Sequence, residues 1–109
     1  MVELPDDELF ERHAELCKVL CNAKRLKLLH VLRAGEYSVN ELAEETSIPQ
    51  PTVSQHLRKM RDKGVVAKRT EGTHCYYRIR DPRLMEATMQ LREILLDILE
   101  EDAFTSADL

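Results

Sequence analysis

Thr52, Ser54, Gln55, His56, Arg58, Lys59, Arg61 and Lys63 crowd into one short stretch, interleaved with Val53, Leu57 and Met60. The three apolar residues fall at i, i+4 and i+7, one face of a helix, which turns the polar ones to the sides and the outside. A helix fits the DNA major groove, where Gln pairs with adenine, Arg with guanine, and Ser or Thr with a base edge or a phosphate. Early positions of such a helix reach bases. The reading therefore assigns Thr52, Ser54, Gln55 and His56 to base edges, with Arg58, Arg61 and Lys63 as phosphate contacts and Lys59 on the same outer side. Further on, Arg69 is placed on phosphate and His74 on phosphate or solvent. The competing reading is a solvated polar helix face with no partner.

A second set of reactive side chains is Cys17, Cys21 and Cys75. Cys17 and Cys21 are spaced i, i+4, so two thiolates on one helical face could converge on a soft ion. As(III) or Sb(III) would be suited if Cys75 or a group from a partner chain supplied a third ligand, and His13 or His30 could join the pair. A direct Cys17–Cys21 disulfide is disfavoured, since Cβ atoms at that spacing lie about 5 to 6 Å apart and a disulfide needs roughly 3.5 to 4.5 Å. Redox sensing and plain burial beneath the second helix are the other two readings, and for Cys75, beside Tyr76, packing is the simplest. Tyr76 and Tyr77 alternate faces, so one should pack and the other be exposed.

The 109 residues suffice for one compact domain spanning 1–109, and Leu, Val, Ile and Met must supply its core because Trp is absent and aromatic residues are scarce. The absence of a long apolar run and the acidic start, Glu3 to Glu8, argue against a membrane partner and a secretory signal, and point to the cytoplasm, with free thiols. A net charge of −4 looks unfavourable for nucleic acid, yet residues 50–80 hold eight basic against two acidic side chains, and residues 81–109 two basic against eight acidic. A basic middle with acidic flanks suits one face that meets phosphate.

The elements that must position these residues follow from caps and periodicity. Asp6 or Asp7 caps a first helix with Leu9, His13, Leu16 and Leu20 on one stripe and Phe10, Ala14, Cys17 and Cys21 on the next. Asn22 caps a second helix carrying Leu26, Leu28, Leu29 and Leu32, with Gly35 at C′. Ser38-Val39-Asn40-Glu41 has the form of a capping box opening a third helix, Val39 to Thr46. Ser47-Ile48-Pro49 is a break, Pro51 sits in the first turn of a fourth helix, and Gly64 closes it. Val65–Arg69 and His74–Ile79 are β-prone runs around Thr70-Glu71-Gly72-Thr73, which makes a hairpin. After Asp81-Pro82 a last helix places Leu84, Thr88, Leu91, Leu95 and Ile98 at heptad-like spacing, an apolar face wider than one small domain needs.

Ala23-Lys24-Arg25-Leu26-Lys27-Leu28-Leu29, Glu41-Leu42-Ala43, Gln50-Pro51-Thr52-Val53-Ser54-Gln55-His56-Leu57 and Tyr76-Tyr77-Arg78-Ile79 resemble the ArsR/SmtB family of bacterial and archaeal repressors, over roughly residues 9–100. The resemblance implies a mainly α winged helix-turn-helix of five helices and a two-stranded wing. It also implies a homodimer joined through residues 1–21 and 82–100, with Leu9, His13, Leu84, Leu91, Leu95 and Ile98 at the interface. Such a dimer would bind an inverted-repeat operator in double-stranded DNA.

The effector sites that the resemblance would suggest are mostly lacking: Ser38-Val39-Asn40-Glu41 carries no thiol, and Arg83, Ile94 and Asp97 stand where zinc ligands would be expected, although Asp81 is retained. A persulfide sensor would need a cysteine near His30 and another in the last helix, and neither is present. Cys17 and Cys21 remain, so release by a soft metal, a metalloid such as As(III), or reactive sulfur such as a persulfide is the expectation, with no cofactor required. Alternatives are a protein-interaction module on the same fold, or a constitutive DNA-binding regulator whose cysteines are structural. An enzyme is disfavoured, since no phosphate-cradling glycine loop, nucleophile elbow or His-carboxylate arrangement occurs.

Overall fold

The structure, a computed structural model, describes the backbone of residues 2–107 and the side chains of residues 2–103. Its elements run α1 (Asp7–Leu20), α2 (Ala23–Leu32), α3 (Val39–Thr46), α4 (Gln50–Asp62), β1 (Val66–Glu71), β2 (His74–Ile79) and α5 (Arg83–Ala107). Each start has a local cause. Asp6 accepts the Leu9 N–H at 2.9 Å, and Asn22 Oδ1 accepts from the N–H groups of Lys24 and Arg25. Ser38 Oγ accepts from Glu41 N while Glu41 Oε1 accepts from Ser38 N, which completes the capping box. These bonds satisfy donors that every helix start leaves free.

The two helices of the helix-turn-helix meet across Ser47, a left-handed residue at φ 58° that turns the chain before Ile48 is buried and Pro49 leads into α4. Val53, Leu57 and Met60 are fully buried against Leu28, Leu29, Leu42 and Val65, so one side of α4 is locked into the core. Burying each such side chain contributes about 1.5 to 3 kcal/mol. The wing is an antiparallel pair in the register Val66↔Ile79 to Glu71↔His74.

Several boundaries differ from expectation. Gly35 is not the C′ residue of α2, because the helix ends at Leu32 and the Ala34 and Gly35 N–H groups close a tighter i−3 turn on Val31 and Leu32. β1 extends through Thr70 and Glu71, leaving only Gly72 and Thr73 as the hairpin loop; Gly72 at φ 60° supplies the left-handed residue that a two-residue turn requires. Tyr37, unassigned from sequence, makes a β-bridge to Tyr77 through N–H to C=O bonds of 3.0 and 2.8 Å in the two directions, tying the base of the wing to the α2–α3 connection. α5 runs on to Ala107, beyond the boundary at residue 100. Its start is fixed by Asp81, which accepts from the Arg83 N–H and pairs with the Arg83 guanidinium, bonds that hold the Asp81 carboxyl down at about 2.

Candidate nucleic-acid interface and thiol-lined groove

The outer side of α4 carries the expected side chains. Ser54, Gln55, Arg58, Lys59, Arg61 and Lys63 are exposed and Thr52 is half-buried. Arg58, Lys59 and Arg61 make no ion pair among the described residues, nor do Lys68 and Arg78 on the wing, so their charge is available to phosphate. Lys63 instead donates to Glu15 Oε2 at 3.0 Å, which joins the end of α4 to α1.

Two more of the expected contact residues are engaged elsewhere. His56 is half-buried, and its Nδ1 accepts a 3.1 Å hydrogen bond from Arg25 Nε on α2. Burial, then the charges of Arg25, Lys24 and Lys59, push its imidazole below the ordinary histidine value. Arg69 is clasped by Glu36 at 2.9 Å and Glu71 at 2.7 Å, with its guanidinium 4.9 Å from the centre of the Tyr76 ring. The hydrogen bonds to Glu36 and then Glu71 raise its pKa further. A side chain shared between two carboxylates carries no surplus positive charge, so in this structure Arg69 ties the wing to the α2–α3 connection, and a phosphate contact would have to displace Glu36 and Glu71. His74 is exposed near the hairpin turn, its ring 6.3 Å from that of Tyr76. Tyr76 and Tyr77 are both half-buried, Tyr77 on the core and Tyr76 under Arg69, rather than one packed and one exposed.

Arg25 has no counterpart in the sequence reading. It is 9% exposed, donates from Nη1 to the Val19 carbonyl at 3.2 Å as well as from Nε to His56, and has no carboxylate partner among the described residues. It lies within the basic Lys24-Arg25-Leu26-Lys27 run, whose two lysines are not buried. The available signal was its i−3 spacing from Leu28, a core position.

α1 and α5 border a groove of about 850 Å³ lined by His13, Cys17, Cys21, Leu84, Leu91 and Leu95 among others, with Lys63 and Gly64 at the end of α4. Cys17 and Cys21 are exposed free thiols, so the reading that buries them beneath α2 does not hold for the protomer. Cys21 is not on the regular helix: it is the C-cap of α1, with φ −90° and ψ 61°, although its N–H still bonds the Cys17 carbonyl at 2.9 Å. Cys75 lies on the wing, where its Sγ is 3.8 Å from Thr70 Oγ1, and it does not line the groove. No three His, Cys, Asp or Glu side chains converge to hold a metal among the described residues, so neither Cys75 nor His13 nor His30 completes a site with the Cys17–Cys21 pair inside one protomer. His30 instead faces Arg92 at 3.4 Å.

The residues expected at a dimer interface show a similar division. Leu91, Leu95 and Ile98 are 62%, 52% and 47% exposed and Leu9 is 56% exposed, with His13 exposed beside them, whereas Leu84 packs partly into the protomer's own core. Met85 and Met89 anchor the first turns of α5; beyond them Ile94, Leu96 and Leu99 are also more than half exposed. No helix among the described residues is long and apolar enough to cross a membrane.

A capped helix, a tight turn, a second helix with a polar outer side and a two-stranded hairpin define a winged helix-turn-helix, a DNA-binding class. The model of the arsR family of bacterial regulatory proteins matches residues 22–68. Over 83 residues the chain is 40% identical to the HTH-type transcriptional regulator KmtR of Mycobacterium tuberculosis, covering 76% of this chain and 63% of that one. It is 38% identical over 91 residues to the biofilm growth-associated repressor of Agrobacterium fabrum, covering 78% of each.

Two solved structures are similar throughout. The homodimeric winged helix-turn-helix DNA-binding domain Mb0332 of Mycobacterium bovis superposes with a TM-score of 0.78 at 30% identity, over 93% of this chain and 95% of that one. The AntR antimony-specific transcriptional repressor superposes with a TM-score of 0.76 at 30% identity, over 92% and 90%. The chain belongs to the ArsR/SmtB family of winged helix-turn-helix transcriptional regulators.

Proposed function

We propose that the protein is a cytoplasmic repressor forming one domain over 1–109, which dimerises through residues 1–21 and 82–100 and reads an inverted-repeat operator with α4. The observation that carries this is the division of α4: Val53, Leu57 and Met60 are wholly buried while Ser54, Gln55, Arg58, Lys59 and Arg61 face solvent. A helix held rigidly on one side and studded with base-pairing side chains on the other needs no rearrangement to enter a major groove. Lys68 and Arg78 add unpaired positive charge on the two faces of the wing. Thr52, Ser54 and Gln55 read base edges, and Arg58, Lys59 and Arg61 hold phosphates.

Titration of a fluorescent duplex, selected from a random pool by the wild-type protein, against a scrambled duplex at several salt concentrations tests this. Gln55→Ala should weaken the selected duplex by about 1 to 3 kcal/mol and leave the scrambled one nearly unchanged. Lys68→Ala should weaken both and lower the salt slope by about one unit. Wild-type behaviour of Gln55→Ala and its Ser54→Ala companion on both duplexes would remove α4 as the reader.

Release from the operator is assigned to the Cys17–Cys21 pair. Both thiols are exposed on the α1–α5 groove where the second protomer docks, so an ion or sulfur species taken up there changes the dimer geometry and with it the spacing of the two α4 helices. A thiophilic ion such as As(III) or Sb(III) fits two thiolates, with a third donor from the partner chain. The similarity to an antimony-specific repressor supports that class of effector.

A further inference from the structure

Arg25 is a buried cation held only by neutral acceptors, and buried charges are ordinarily paired with an opposite charge. Its two bonds join two other helices: one goes to the Val19 carbonyl in the last turn of α1, two residues before Cys21, and the other to Nδ1 of His56 on α4. The carbonyl lies at the negative end of the α1 dipole, which offsets part of the cost of burying the guanidinium. Arginine can only donate, so His56 Nδ1 must be unprotonated. The remaining proton of the neutral ring then sits on Nε2, and the imidazole is a donor with a fixed tautomer.

We propose that Arg25 is a positioning residue for operator reading, which locks α4 to the α1–α2 junction and sets His56 as a neutral Nε2–H donor on the recognition helix. A donor of this kind selects an acceptor on the DNA, either a phosphate oxygen or a purine N7. Protonation of His56 abolishes its acceptor site and sets two cations against each other. The charged groups facing the ring are Arg25 and Lys24 from α2 and Lys59 from its own helix, all of which oppose that protonation. Acidification should therefore loosen α4. The inference rests on α4 being the operator reader.

Two substitutions at His56 separate the two ring nitrogens. His56→Asn keeps an acceptor near the Nδ1 position and loses the Nε2 donor, whereas His56→Gln keeps a donor near Nε2 and loses the acceptor for Arg25. On the selected duplex, His56→Asn should hold wild-type thermal stability and lose about fivefold or more in affinity, as for one lost base or phosphate contact. His56→Gln should melt earlier and show no change of affinity with pH between 5 and 7. Arg25→Lys, which cannot bridge both acceptors, should raise the His56 titration midpoint and lower operator affinity together.

Nitrogen chemical shifts of wild-type His56 should report the Nε2–H tautomer at neutral pH, a measurement that needs no variant to fold. A protonated Nδ1 in the wild-type protein, or an Arg25→Lys variant with unchanged His56 titration and unchanged affinity, would overturn the proposal. If Gln55→Ala weakens the selected duplex while the Arg25 and His56 variants do not, this inference fails and the α4 reading stands. If Gln55→Ala and Ser54→Ala also have no effect, the α4 reading itself fails.

Discussion

Arg69 and Arg25 both lie in basic runs, yet Arg69 is exposed and held by carboxylates while Arg25 is buried on neutral acceptors. Arg69 sits in a basic run and was expected on phosphate, but Glu36 and Glu71 neutralise it and Tyr76 carries its guanidinium. Arg69→Ala should therefore leave the salt slope of DNA binding unchanged and raise the mobility of the wing, seen as faster hydrogen exchange at Thr70 and Tyr76. A slope lowered by about one unit would instead restore it as a phosphate ligand. The exposed ion pairs themselves contribute little, on the order of 0 to 1 kcal/mol each.

For His56 the sign of the pH effect is set by its depressed pKa. The unfolded chain, with an ordinary histidine near about 6.5, binds a proton before the folded chain does, so stability is full above that value and declines as pH falls through the folded pKa. Urea melts at pH 7.5 and pH 5 should show this decline, and His56→Asn should lack its share of it.

Among the elements, α3 illustrates how local chemistry fixes the helix that precedes α4. Its eight residues are held by a complete capping box and by Leu42, which is wholly buried. Ser38→Ala removes one cap bond and should cost about 0.5 to 2 kcal/mol of stability in a denaturant melt, with operator affinity of the folded protein unchanged. Loss of affinity at full stability would mean that Ser38 itself faces DNA. Gly64, which follows α4, has φ 79°, a left-handed conformation that other residues rarely adopt, so the exit from α4 into β1 tolerates few substitutions.

At the scale of the whole molecule, one protomer leaves a broad apolar face of α5 uncovered. Leu91 and Leu95 are more than half exposed and contribute nothing to the core around Leu28 and Leu57. Introducing Leu91→Glu and Leu95→Glu together should therefore leave a folded winged helix but place charges in the dimer interface, giving monomers in light scattering and weak operator binding. A wild-type protein that is already monomeric at micromolar concentration would contradict this. Effector release belongs to the same scale. A Cys17→Ser, Cys21→Ser double variant should bind operator normally yet lose the release caused by As(III), a coupling of about 1 to 3 kcal/mol. Undiminished release would return both thiols to a structural role.

Caps, breaks and periodicity made the order of elements legible, because Asp6, Asn22, Ser38 and Pro51 act on their own few neighbours and do so in any fold. The buried side of α4 was legible for the same reason, since Val53, Leu57 and Met60 share a face whatever they pack against. Long-range pairing was not. The Tyr37–Tyr77 bridge, the capture of Arg69 by Glu36 and the burial of Arg25 between Val19 and His56 join residues 40, 33, 6 and 31 positions apart. Such contacts depend on how helices cross and where the wing folds back, and no local propensity encodes that. Sequence thus determined the helices, the wing and the polar outer side of α4, while tertiary structure decided which of the basic side chains stay unpaired at the surface and which are spent holding α4 and the wing in place.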